Sequence, residues 1–206
     1  MLVYAATKNS GKLDELRAIF SAAGWRVEES ARYADVAEGT LGYAENAALK
    51  ARALYATLVA DGEPAPVLAD DSGLEVAALG NRPGVLSARY GGEGATWRER
   101  RTAVLRDVAA SRSADRSARF VCALHFITAD GAEFANIGAL AGTLAERERG
   151  DSGFSYDAIF IAAGSPRTLA ELPAREKNLV SARFRAAREL LEAVGPSVGK
   201  DSRTGM

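Results

Sequence analysis

Two β-rich runs, Phe120–Thr128 and Ala132–Leu144, flank the dipeptide Asp130-Gly131. Both residue types tolerate the positive φ that a tight turn needs, so Asp-Gly between such runs predicts an antiparallel hairpin. A hairpin with long arms is not stable alone and needs other elements to cover it. The upstream half supplies them. Met1–Ala6 reads as a buried strand, Thr7–Gly11 as a polar turn, and Lys12–Ala23 as a helix with Leu13, Leu16, Ile19 and Phe20 at helical spacing. Asn9 or Ser10 can cap that helix and Gly24 can end it. Trp25–Glu28 suits a second strand and Glu45–Ala60 a second helix. Val67–Ala69 suits a short strand that ends abruptly at Asp70-Asp71-Ser72-Gly73. Leu74–Leu79 suits a short helix, Asn81–Gly84 a turn, Val85–Gly92 a loop and Thr96–Ala110 a helix. Ala158–Ala163 reads as another buried strand, and Ser181 as the cap of a last helix that runs to Val194. Strands alternate with helices early and a hairpin follows, which predicts an α/β fold with a mixed sheet. Residues 1–195 read as one domain and 196–206 as a polar, disordered tail.

Charge and residue counts exclude several kinds of function. The net charge is −1, so no global basic field points to nucleic acid or to an anionic membrane. No run approaches the roughly 18 apolar residues of a membrane span. The apolar start lacks the charged flank of a signal peptide. A lone cysteine, Cys122, cannot form an internal disulfide, which suits the cytoplasm. A lone histidine, His125, rules out a multi-histidine metal site, so any metal would be a hard cation on oxygen ligands. His125 falls inside a predicted strand and reads as a core or sheet residue.

Five clusters could carry chemistry. The first is Thr7-Lys8-Asn9-Ser10-Gly11-Lys12, between a strand and a helix start, where free amides and the helix dipole favour an anion. It fails the P-loop pattern: Ala6 stands at the first glycine position and Leu13 at the hydroxyl position. The second is Asp70-Asp71-Ser72, at a strand end where α/β proteins place ligands. It is either an Asp/Ser/Gly turn or a pair of acids able to hold Mg²⁺ or accept a proton. If the strand continues, the two acids face opposite sides. The third joins Glu38 and Glu45 with Asn46 and Lys50, which share one helix face; alone it reads as an ordinary charged helix or as part of a metal–phosphate site. The fourth, Phe154-Ser155-Tyr156-Asp157 after Gly153, is a tight turn or a base-stacking loop. The fifth, Lys177 with Ser181-Ala182-Arg183, offers surface charge or hydrogen-bond donors. The arginine-rich stretch 98–119 reads as a solvated helix face and loop.

In this order the segments ATKNSGKLDEL, YAENAALKARAL, LADDSGLEVAALGNRPGVLSARYGGE, GFSYDAIF with TLAEL, and EKNLVSARFRA resemble the inosine triphosphate pyrophosphatase family. The resemblance implies a two-lobed α/β fold, with a long central mixed sheet flanked by helices and a nucleotide cleft between the lobes. It implies Mg²⁺-dependent hydrolysis of ITP, dITP and XTP to the monophosphate and pyrophosphate, in a cytoplasmic homodimer. Carried over by position, Thr7, Lys8, Asn9, Ser10, Gly11, Lys12 and Lys50 would hold the triphosphate. Glu38 and Asp71 would bind the metal, and Asp71 would act as general base. Ser72 would touch the substrate. Phe154 would stack on the base, with Ser155, Tyr156 and Asp157 shaping its pocket. Lys177, Ser181, Ala182 and Arg183 would form the base-recognition segment. A pocket edge of donors alone, Lys177 and Arg183, would accept a 6-oxo purine and leave a 6-amino group unpaired, which costs about 1–3 kcal/mol.

Three positions depart from the family pattern. Ala182 stands where Ser-His-Arg is usual. Ser155 and Ala158 interrupt Gly-Phe-Gly-Tyr-Asp-Pro. Tyr43, preceded by Gly42, replaces the usual aromatic. The first two leave open an enzyme with relaxed or shifted base preference, and a nucleotide-binding protein without catalysis is the other alternative.

Overall fold

The computed structural model describes residues 1–37 and 39–195; Glu38 and the 196–206 tail lie outside the described residues. The chain opens with β1 (Leu2–Ala5), α1 (Ser10–Ser21) and β2 (Arg26–Glu29), and β2 returns parallel to β1. Asn9 is the cap of α1: its Oδ1 accepts the Lys12 amide at 3.1 Å. This satisfies a donor that the first helical turn leaves free. The predicted hairpin is present. β5 (Ser117–Ile127) and β6 (Glu133–Leu144) pair antiparallel from Ser117↔Thr143 to Ile127↔Glu133. Gly131 takes a φ of +90° in the turn.

The second acidic cluster is not a strand end. β3 runs unbroken from Val67 to Val76, through Asp70-Asp71-Ser72-Gly73. Its pairing with β5 explains why: each residue from Val67 to Val76 faces one from Ile127 to Ala118, and this ladder overrides the local preference of Asp, Ser and Gly for turns. Gly73 is required in the strand, because a Cβ there would lie 2.2 Å from the Gly84 carbonyl oxygen. The predicted Leu74–Leu79 helix shrinks to one 3₁₀ turn, Ala77–Leu79. The predicted loop after Gly84 begins as a 3₁₀ segment, Gly84–Arg89.

The mixed sheet runs β2-β1-β3-β5-β6-β7, where β7 is Phe160–Ala162, and the two-residue β4 (Arg82–Pro83) pairs with the far end of β3. α2 (Tyr43–Ala60) covers one face, where Leu54 and Leu58 pack with Val67, Ala69 and Ile127. α1 and α5 (Ala182–Val194) cover the other, where Leu16, Phe20, Ala186 and Leu190 meet Leu68, Leu74 and Phe126, and α4 (Ala174–Val180) packs against both helices. Each fully buried leucine or phenylalanine contributes about 1.5–3 kcal/mol. α3 (Trp97–Ala110) starts with a Thr96–Glu99 capping box and sets the Trp97 ring edge-on to Tyr156, centroids 5.5 Å apart. Among the described residues no helix is long and apolar enough to cross a membrane.

The sequence pattern gives no sign of α4, because its seven residues are rich in charge and carry no apolar stripe. One further expectation is corrected. The arginine-rich stretch is only partly solvated. Arg101 is half-buried, and Arg116 reaches the carbonyls of Leu144 (2.8 Å) and Ala145 (2.5 Å).

Candidate active site

Because β3 continues past Asp70, its side chains alternate between the two faces of the sheet. Asp71 points to the α2 side. Its Oδ2 accepts from Asn46 Nδ2 at 2.9 Å and its Oδ1 lies 3.3 Å from Lys50 Nζ. Asn46 and Lys50 sit one helical turn apart on the buried face of α2, so both reach the same carboxylate. Lys50 also donates to the Asp70 main-chain carbonyl at 3.0 Å. These are buried groups rather than ordinary surface charges of a helix. Asn46 is tied in addition to Gly39, through its amide and its carbonyl. Glu38, next to that contact in sequence, lies outside the described residues.

Asp70 points the other way and is fully enclosed. Lys12 Nζ lies 3.1 Å and Arg183 Nη2 2.7 Å from its Oδ2. Burial alone would raise its pKa. Lys12, Arg183 and Lys50 outweigh burial and hold the carboxyl well below the usual range. Arg183 also donates to Glu15 at 2.6 Å and to the Ser72 hydroxyl at 3.2 Å. Lys177 Nζ lies 3.0 Å from Asp157 and 3.7 Å from Glu15. Three carboxylates (Glu15, Asp70, Asp157) therefore interlock with three cations (Lys12, Lys177, Arg183) beneath one cleft.

The cleft lies above this cluster. Ser72, Cys122, Phe154, Asp157, Lys177 and Ala182 are among its walls. Burial pushes the Cys122 thiol up to about 12, so it stays neutral. The Phe154 ring packs against the start of α1: a Cβ on Gly11 would meet its Cγ at 2.9 Å. The Lys177 ammonium stands 4.6 Å from the same ring's centroid. Asp157 closes the Phe154 turn by accepting its amide at 2.9 Å. Burial raises the Asp157 pKa, against the opposing effects of Lys177 and that amide.

The structure thus gathers Lys12, Ser72, Phe154, Ser155, Asp157, Lys177, Ser181, Ala182 and Arg183 around one cleft, or directly beneath it. It places Asp71 and Lys50 across β3 from them. Thr7 and Asn9 shape the loop between β1 and α1, with the Asn9 amide 3.2 Å from the Thr7 hydroxyl; Lys8 and Ser10 are exposed there. Tyr156 is fully buried and turns away, its hydroxyl donating to the Ser87 carbonyl at 2.8 Å. The Ser181 hydroxyl caps α5 by accepting the Phe184 amide. The expected edge of donors alone is not what forms. Glu15 Oε1 and Asp70 Oδ1 are buried without a hydrogen-bond partner, and so is Arg183 Nε. The carboxylates of Glu15 and Asp157 line the cleft beside Lys177 and Arg183, so its floor carries acceptors as well as donors. Glu15 escaped sequence reasoning because a single acid on a helix face resembles surface charge. Its place one turn after Lys12 was the available signal. His125 stands apart from the cleft, its Nε2 2.8 Å from Glu133.

Known proteins share this architecture. The solved HAM1 protein from Coxiella burnetii superposes with a TM-score of 0.82 at 35% identity, covering 94% of this chain and 98% of that one. A dITP/XTP pyrophosphatase structure from Mycobacterium abscessus gives 0.69 at 34% identity, covering 93% and 99%. Among curated relatives, the dITP/XTP pyrophosphatase of Streptomyces avermitilis is 41% identical over 199 residues, 94% of this chain and 97% of the relative. That of Geobacillus kaustophilus is 41% identical over 206 residues, 98% of each. The Ham1 family model matches residues 3–193, a span that includes both acids of β3, the Phe154 turn and the Arg183 helix, and the chain belongs to the Ham1 family.

Proposed function

We propose that this chain hydrolyses nonstandard purine nucleoside triphosphates, dITP, ITP and XTP, to the monophosphate and pyrophosphate. The observation that carries the reading is the pair Asp70–Asp71, which fixes a phosphate-loop lysine on one side of β3 and a lysine-oriented carboxylate on the other. The curated relatives named for this activity support it. In this reading the loop from Thr7 to Lys12 and the Lys50 ammonium bind the triphosphate. Asp71, held by Asn46 and Lys50, accepts a proton from the water that attacks the α-phosphorus; the bond to the bridging oxygen breaks and pyrophosphate leaves.

Magnesium is part of the proposal. Among the described residues no three acids, histidines or cysteines converge to cage a metal. The donor set fits a hard cation that arrives on phosphate oxygens and takes one or two carboxylates, Asp71 and, by resemblance, Glu38. Bound there, such a cation would neutralise charge on the leaving pyrophosphate.

Discrimination against adenine follows from the cleft floor. A 6-oxo purine presents an acceptor at O6 and a donor at N1. Lys177 and Arg183 supply donors, and the Glu15 carboxylate, which lines the cleft beside them, supplies an acceptor. Adenine reverses both groups and leaves them unpaired. Relaxed selectivity is the second reading, favoured by the Ala182 methyl in the cleft wall. A cytoplasmic homodimer completes the proposal, as the family resemblance implies.

The deciding experiment measures pyrophosphate release with Mg²⁺ from ITP, XTP, dITP, GTP and ATP in parallel. Turnover of the inosine and xanthine nucleotides alone supports the first reading. Even turnover of all five supports the second. Binding without release from any of them removes catalysis from the proposal.

A further inference from the structure

Ser155 is one of the non-glycine residues with a left-handed backbone, at φ +58°. A serine there is strained, because its Cβ crowds the backbone, and such a conformation persists only where neighbours hold it. The turn is held on its inner side, where Asp157 accepts the Phe154 amide. It is held on its outer side from another element altogether. Arg101, on α3, donates from Nη1 to the Ser155 carbonyl at 2.8 Å and from Nη2 to Glu148 at 3.0 Å. The Arg101 side chain is only 16% exposed, so this hydrogen bond is largely shielded from water. The same helix braces the next residue, as Trp97 stands edge-on to the buried Tyr156 ring. On the near side of Ser155 is Phe154, whose ring lies against Gly11 and beneath Lys177.

We propose that Arg101 is a positioning residue for the base cleft: by holding the Ser155 carbonyl it fixes the strained turn that aims the Phe154 ring. The inference rests on the reading of Phe154 as the residue that stacks on the base. Arg101 touches neither the phosphate loop nor Asp71 in this arrangement. Its loss therefore weakens the grip on the base and leaves the hydrolytic step intact.

The test compares the full-length protein with Arg101→Met, Arg101→Lys and the double variant Arg101→Met/Ser155→Gly. Three quantities are read: kcat and KM for dITP, and amide hydrogen exchange of the segment 153–157. Arg101→Met is expected to raise KM about tenfold, the scale of one lost hydrogen bond to a charged group, with kcat within about twofold. Exchange in the turn accelerates in parallel. Arg101→Lys recovers part of both losses. Glycine at 155 adopts the left-handed conformation without strain, so the double variant recovers part of the KM loss even though the guanidinium is absent, while exchange in the more flexible turn stays fast. A helix brace with no link to the turn would lower thermal stability in every Arg101 variant and show no rescue by glycine. Unchanged KM and exchange in Arg101→Met overturns the proposal, as does a KM loss that glycine leaves in place. If the wild type fails to hydrolyse dITP, the functional reading falls, and the exchange data alone decide whether Arg101 holds the turn.

Discussion

Asp70 and Asp71 are consecutive residues of one strand, yet each is held by different helices on opposite faces of the sheet. Asp70 meets Lys12 of α1 and Arg183 of α5, whereas Asp71 meets Asn46 and Lys50 of α2. The consequence is a sharp difference between two chemically identical substitutions. Asp71→Asn removes the proposed proton acceptor and is expected to lower kcat about 10²–10⁴-fold. Asp70→Asn leaves the buried Arg183 and the partly buried Lys12 facing an amide, at a cost of about 3–5 kcal/mol. Its melting temperature falls on the order of 10 °C, below that of Asp71→Asn, where the new amide still meets Asn46 and Lys50. Pyrophosphate release and thermal unfolding of both variants check this. Full activity in Asp71→Asn would remove that residue from the mechanism.

Gly11→Ala separates stability from binding. Gly11 lies in the first turn of α1, where alanine is the better helix former by about 1 kcal/mol. The new methyl would meet Phe154 Cγ at 2.9 Å and push the ring out of place. The melting temperature should hold or rise while KM for dITP increases about tenfold. A variant with unchanged KM would show that the ring position does not matter to binding.

Ala182→His restores an imidazole to the cleft wall. The expected result is a ratio of kcat/KM for dITP over dATP about tenfold higher, the discrimination that one directed hydrogen bond supplies. Identical ratios in variant and wild type would place base selection elsewhere on the cleft.

His125 gives the fold a pH dependence unrelated to the site. Burial holds this imidazole below its ordinary value of 6.5, against the opposing pull of Glu133, itself paired with Arg52. The unfolded chain takes up a proton near that value while the folded chain does not. The stabilisation is therefore complete above it and is lost as pH falls toward the folded value. Between about pH 7.5 and about pH 5.5 the wild type should lose more thermal stability than His125→Gln. Parallel curves for the two proteins would refute the assignment.

Local chemistry made the first half of this account readable from the chain alone. Asp130-Gly131 dictates its own turn, Asn9 its own cap, and the apolar spacing of α1 and α2 their inward faces. What failed to show depends on partners distant in sequence. Asp70-Asp71-Ser72-Gly73 is turn-forming until β5 pairs with it. Lys50 reads as surface charge until Asp71 arrives beneath it from 21 residues away. Glu15 gains meaning only when Arg183 reaches it across 168 residues. Arg101 was hidden in a run of arginines, most of which do face water.

The interlocked carboxylates and cations below the cleft have a bearing on life among abundant anions. Glu15, Asp70 and Asp157 offset Lys12, Lys177 and Arg183 before any nucleotide arrives. A pocket lined with bare cations would fill with inorganic phosphate and with every common nucleotide in turn. This one offers little reward for charge alone. In the proposed function, entry is won by a molecule that brings a fitting base and a phosphate chain together rather than by charge alone.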